Sequence, residues 1–129
     1  MTADLTVTSL TIASGGKLYV SNGKKLTVSG NVTVSGTLQL ADEASVSMNK
    51  LTIGNGTVSN ALVNLGKKAY LKITNSLEQI PSTSPFVSKL EMWAGSVVEN
   101  CGTHHQGVID YPFIKYLGSE SVKSYYIVK

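Results

Sequence analysis

The densest run of side chains able to do chemistry is Glu99-Asn100-Cys101-Gly102-Thr103-His104-His105, with Asp110 shortly after it. Cysteine and histidine suit zinc, and Cys-x2-His is a permitted local spacing. A structural zinc site needs a second ligand pair, however, and the only two histidines of the chain sit side by side. Neighbouring residues on a strand point to opposite faces, so both reach one ion only from a turn. Cys-His nucleophilic catalysis needs a thiolate held beside its base and an orienting group, and no helix-start pattern follows Cys101 to activate it. The segment reads as a solvated loop with a buried thiol. No metal, cofactor or catalytic residue is expected.

Cleavage of a polysaccharide needs paired carboxylates, or carboxylates with basic residues, projecting from one face. The acids of the first sixty residues are Asp4, Asp42 and Glu43, none at the outward centre of a strand. Glu91 is such a centre but has no evident acidic neighbour. Thr6-Val7-Thr8 resembles the Thr-x-Thr unit of an ice-binding array, yet the corresponding positions further on are Thr27-Val28-Ser29 and Ser47-Met48-Asn49. Threonine there reads as a favourable outward strand residue. Asn31-Val32-Thr33 and Asn55-Gly56-Thr57 match the glycosylation sequon, a short motif that arises easily by chance.

Aromatic residues are the remaining candidates. Eight of the nine lie from Tyr70 onward. They serve either as a cap over exposed strand edges or as a binding face, since aromatics anchor partners and stack on sugars. Trp93, Tyr111, Phe113 and Tyr116 are the candidate ligand-binding residues.

The elements that must position these groups are legible as apolar-polar-apolar triplets. They run Leu5-Thr6-Val7, Leu10-Thr11-Ile12, Leu18-Tyr19-Val20, Leu26-Thr27-Val28, Val32-Thr33-Val34, Leu38-Gln39-Leu40, Val46-Ser47-Met48, Leu51-Thr52-Ile53 and Val58-Ser59-Asn60. Period two marks half-buried strands, and the strands are too short and too evenly punctuated for helices. Taken three at a time, they fall on three faces. Starts on the first are 5, 26 and 46; on the second 10, 32, 51 and 71; on the third 18, 38 and 58. A period of about twenty residues with three strands per turn predicts an all-β fold, a parallel β-helix or β-solenoid. Each strand would hydrogen-bond its counterpart about 4.8 Å along the stack. Irregular spacing and the absence of strict hexapeptides favour the right-handed type. A hairpin-rich sandwich would also give short strands and turns, but would not keep one register over three faces.

Glycine- and serine-rich turns such as Ser14-Gly15-Gly16 and Ser21-Asn22-Gly23 separate the triplets, where the backbone bends tightly. The expected organisation is one domain over 1–129, with regular coils over 1–75 and looser, aromatic-rich coils or a cap over 76–129. Within the latter, Pro81 and Pro85 interrupt any ladder.

Composition narrows the function classes. The chain of 129 residues is 42% hydrophobic and 15% charged, which excludes a disordered, highly charged class. Its net charge of +3 rests on lysine alone. Arginine, the usual reader of phosphate and guanine, is missing, which argues against nucleic acid. Cys101 has no cysteine to pair with in the chain. No signal-peptide pattern opens the sequence, and no apolar run has transmembrane length, so no membrane insertion is expected. A secreted parent would make this a trimmed fragment lacking its signal peptide.

The stretch Ile12-Ala13-Ser14-Gly15-Gly16-Lys17-Leu18-Tyr19-Val20-Ser21-Asn22-Gly23 resembles the repeats of AIDA-type autotransporter adhesins, in which Ser-Gly-Gly turns alternate with short Val-rich strands. The resemblance covers roughly residues 5–60 and carries no functional residue across. It departs from those repeats in its single Gly-Gly pair, its variable lengths and its aromatic C-terminal part. It implies an extracellular or cell-surface bacterial protein: a structural or adhesive segment binding a glycan or a host or cell-surface protein. The other readings are a fragment of a carbohydrate-active β-helix enzyme or phage tail-spike, and a scaffold forming a homo-oligomer by stacking through its coil ends.

Overall fold

The computed structural model describes residues 3–54, 61–80, 89–106, 114–116 and 125–128. Every regular element in them is a strand: β1 (Leu5–Val7), β2 (Leu10–Ile12), β3 (Lys17–Val20), β4 (Lys25–Val28), β5 (Asn31–Val34), β6 (Thr37–Leu40), β7 (Ser45–Ile53), β8 (Leu62–Leu65), β9 (Tyr70–Gln79), β10 (Lys89–Met92), β11 (Val97–Asn100), β12 (Thr103–Gln106), β13 (Ile114–Tyr116) and β14 (Tyr125–Val128). All recorded pairings between them are parallel. The architecture is all-β with parallel sheets, an arrangement compatible with a β-helix.

Register sorts the strands into three columns. The first holds β1, β4, the first half of β7, the first half of β9, β11 and β14. The second holds β2, β5, the second halves of β7 and β9, and β12. The third holds β3, β6, β8, β10 and β13. Strands β7 and β9 each serve two columns, with a register irregularity between Met48 and Lys50 marking the bend.

In the described triplets from β4 to β9 the apolar residues are buried and stack on like residues from column neighbours. Leu26, Val46, Leu71 and Val98 form one buried file, and Leu38, Val63 and Leu90 another. Burying each such side chain contributes about 1.5–3 kcal/mol relative to leaving it in water. One inward position is polar: Asn100, fully buried in register with Ile73. Its Oδ1 accepts the Gly102 N–H at 3.1 Å, which offsets the desolvation of the amide.

The expected twenty-residue step holds early and then lengthens. Leu5, Leu26 and Val46 align, but the next in file is Leu71, 25 residues on, followed by Val98 after 27. Leu71-Lys72-Ile73 therefore belongs to the first column, beside Val46-Ser47-Met48, and not to the second where periodicity alone puts it. Val58-Ser59-Asn60 lies outside the described residues, and the third column resumes in β8 with Val63 beside Leu38. The added length sits at one corner. Two residues (35–36) join β5 to β6, whereas eight (54–61) join β7 to β8 and nine (80–88) join β9 to β10.

The corner from the third column to the first is four residues long at 21–24, 41–44, 66–69 and 93–96, and eight residues (117–124) separate β13 from β14. In each four-residue turn the last N–H donates to the first carbonyl, as from Lys24 to Ser21 at 3.0 Å and from Ser96 to Trp93 at 3.0 Å. The third residues, Gly23, Glu43, Lys68 and Gly95, have φ of 71°, 63°, 60° and 76°. That is the left-handed position of a type II turn. A residue with a Cβ is strained there by about 1–2 kcal/mol. Glu43→Gly and Lys68→Gly are each expected to raise the urea midpoint, through a stabilisation of about 0.5–1 kcal/mol after glycine's greater unfolded entropy is subtracted. A lowered midpoint in both variants would show that the side chains, not the backbone, matter at these turns.

Candidate functional site

The Glu99–His105 run is distributed along β11 and β12. The backbone aligns His104 with Leu77 and His105 with Glu78, alternate positions of the ladder, and Asp110 lies outside the described residues. Among the described residues no group of three or more His, Cys, Asp and Glu is placed to hold a metal ion. Glu99 accepts hydrogen bonds from two directions: from the Tyr70 hydroxyl at Oε2, and from the Cys101 thiol at Oε1, 3.6 Å away. Burial, then the hydrogen bond to Glu99 and that carboxylate's charge, with a smaller effect from Cys101, push the Tyr70 phenol up to about 12.

This shift has a pH consequence. The unfolded phenol ionises near 10 and the folded one near 12, so the unfolded state loses its proton first. The contribution of Tyr70 to stability is fully present below pH ~10 and is lost as pH rises from there through ~12. Spectrophotometric titration of the phenolates is expected to show one late tyrosine that disappears in Tyr70→Phe; an unchanged titration curve would contradict the pairing.

Carboxylates do not pair across strands in the recorded register. Glu91 aligns with Asn64 and Lys115, Glu99 with Lys72 and Ile127, and Glu78 with Thr52 and His105. Glu78 also forms an ion pair with Lys50 at 3.2 Å, exposed on the second column. Such a surface pair contributes little to stability.

A groove lies along the third column beside the four-residue corner. It encloses about 330 Å³ and is lined by Tyr19, Asn22, Gln39, Leu40, Ala41, Asp42, Asn64, Gly66, Lys67 and Trp93. Its floor is the outward file Tyr19, Gln39 and Asn64, which alternation along β3, β6 and β8 places on the solvent side. The Gln39 amide donates from Nε2 to Asn64 Oδ1 at 2.9 Å and to the Leu40 carbonyl at 3.3 Å. Its far wall is the turn file Asn22, Asp42 and Lys67, where Asp42 Oδ1 accepts the Lys67 backbone N–H at 2.9 Å. Tyr19 is 48% exposed and Trp93 39%, so two aromatic surfaces stand at a polar trough.

The corner explains why the trough exists. Backbone N–H groups of Ala41, Gly66 and Trp93 donate to the carbonyls of Val20, Leu40 and Leu65, which puts Ser21, Ala41, Gly66 and Trp93 in one file. Three small residues leave the wall low, and the fourth closes it with an indole. At Gly66 a Cβ would stand 2.7 Å from Asp42 Oδ1 and 2.8 Å from Asp42 N, so the position has no room for a side chain.

Of the four residues expected to bind a ligand, Trp93 lies in this groove. Tyr116 ends β13, in register with Met92, while Tyr111 and Phe113 lie outside the described residues. Sequence reading identified Tyr19 and Gln39 as outward centres but missed Asn64. The alternation Leu62-Val63-Asn64-Leu65 was the available signal. No helix among the described residues is long and apolar enough to cross a membrane. No protein-family model matches the chain, and no curated protein or solved structure matches it either.

Proposed function

We propose that this chain is a structural and adhesive segment of a bacterial cell-surface or secreted protein, wound as a parallel β-helix and binding a glycan through the groove between Tyr19 and Trp93. The observation that carries the reading is the groove's composition. Two exposed aromatic rings flank a floor of amides, with one carboxylate and one lysine on the wall. Rings give a sugar's C–H face an apolar platform, and amides offer both donors and acceptors to its hydroxyls. Ligand sites commonly combine an apolar surface with a few polar groups that fix orientation. The β-helix reading is supported by three parallel columns whose triplets turn their flanking, mostly apolar residues inward, and by stacked four-residue turns.

A glycan-array screen of the native chain, repeated with Trp93→Ala, tests this. Native binding that falls about tenfold or more in Trp93→Ala is expected, the usual loss for an aromatic anchor. Circular dichroism identical to native would show that the variant is folded. A blank array with the native chain overturns the proposal.

A further inference from the structure

The shape of the groove says more about its occupant. Resting on the glycan reading above, we infer that it takes a linear, uncharged oligosaccharide lying along the direction in which the strands stack, and not a single terminal sugar or an acidic glycan.

Length is the first argument. Tyr19, Gln39, Asn64 and Glu91 follow one another in register, and Trp93 stands two residues beyond Glu91. Three strand spacings of about 4.8 Å separate the first from the last, roughly 14 Å. A monosaccharide touches one aromatic surface of such a trough and leaves the other bare. An oligosaccharide of a few units reaches both, with the amides of Gln39 and Asn64 between them.

Direction follows from the walls. The corner file is low at Ser21, Ala41 and Gly66, and the Gly66 site cannot carry a side chain. The trough is therefore continuous across strands β3, β6 and β8. Trp93 in the same file stands where those small residues would otherwise continue it. A branched or crosswise ligand would leave this channel; an extended one follows it.

Charge is the third argument. Asp42 and Lys67 are the ionisable members of the lining apart from the Tyr19 phenol, and their charges cancel. The remaining polar groups, on Asn22, Gln39 and Asn64, are neutral amides. Recognition of a polyanion calls for a clear excess of positive potential, with like charges opposing the wrong partner. Glu91, next in the outward file, adds a negative group at the Trp93 end.

Trp93 is the sole tryptophan of the chain, so intrinsic fluorescence reports on this groove directly. The probes are cello-, manno-, xylo- and N-acetylchito-oligosaccharides from monomer to hexamer, with oligogalacturonides as the acidic comparison. At least one neutral series is expected to shift Trp93 emission, with affinity rising about tenfold from monomer to tetramer and levelling off thereafter. Tyr19→Ala is expected to remove that rise while leaving the spectrum of the free protein unchanged, and Tyr19→Phe to restore it. Tyr19 is largely solvent-facing, so these variants leave the core intact. Binding without any gain on lengthening, or tighter binding of oligogalacturonides than of every neutral series, overturns the inference and leaves the glycan reading standing. No response from any series together with a blank glycan array removes both.

Discussion

Gly36→Ala is expected to lower stability by about 3 kcal/mol or more, the upper range for forcing an extra methyl into packed structure. Gly36 lies on the two-residue connection from β5 to β6, pressed against the turn formed by residues 13–16. A Cβ there would stand 2.2 Å from the Gly16 carbonyl oxygen and 2.4 Å from that of Ala13. Both obstacles are backbone, so no rotamer change relieves them. Ser35 and Gly36 donate to the Ile12 carbonyl at 2.8 and 3.2 Å, and Thr37 donates to Gly16 at 2.9 Å. Moving the methyl away breaks bonds that hold β5 and β6 against β2 and β3. Urea unfolding followed by circular dichroism measures the effect. A midpoint within error of the native chain would mean that the two corners are not in contact.

The second large effect compares one residue type at two depths of a single file. Leu5 and Leu26 are register partners in the first column, but Leu26 is 1% exposed and Leu5 48%. Leu26→Ala removes a side chain walled by the buried file on one side and by β1 on the other, so neighbours cannot collapse into the space. The expected cost is about 2–5 kcal/mol. Leu5→Ala gives up only part of the transfer free energy and leaves no enclosed cavity, for about 1 kcal/mol or less. Denaturant titration of both variants in parallel separates burial from residue chemistry. Equal losses would show that the first strand is buried in solution, and would contradict the exposure of Leu5.

Alternation along the chain was enough to read much of the fold. Leu26-Thr27-Val28 and Val32-Thr33-Val34 announce which side chains face inward, because a strand reverses its side-chain direction at every residue. Their burial follows that alternation throughout β4 and β5. The stacking partner of each early strand was equally legible, since 5, 26 and 46 are separated by nearly constant steps and do align. Periodicity failed where connection length changed. Val58-Ser59-Asn60 begins twenty residues after Leu38-Gln39-Leu40, so a fixed step of twenty put the third column there and displaced Leu71 into the second, whereas it lies beside Val46 in the first.

Some positions carried no local signal at all. Glu43 and Lys68 hold the left-handed backbone position that glycine occupies at Gly23 and Gly95. Their types alone do not announce it; stacking does, because Glu43 N–H donates to the Lys67 carbonyl at 2.9 Å and Lys68 N–H to that of Ala94 at 3.0 Å. The pairing of Tyr70 with Glu99 across 29 positions is of the same kind.

The sequence by itself therefore determined an all-β chain of short strands, the inward and outward identity of most residues, and the outward direction of Tyr19 and Gln39. These are local properties, written in period two and in turn composition. Tertiary structure alone decided which strand lies beside which beyond residue 54, and with it the meeting of Tyr19, Asn64, Asp42 and Trp93 along one groove. The physical reason is that register is a property of hydrogen bonds between strands. It is indifferent to how many residues the corner between them contains, so a longer connection changes the count along the chain without moving the file.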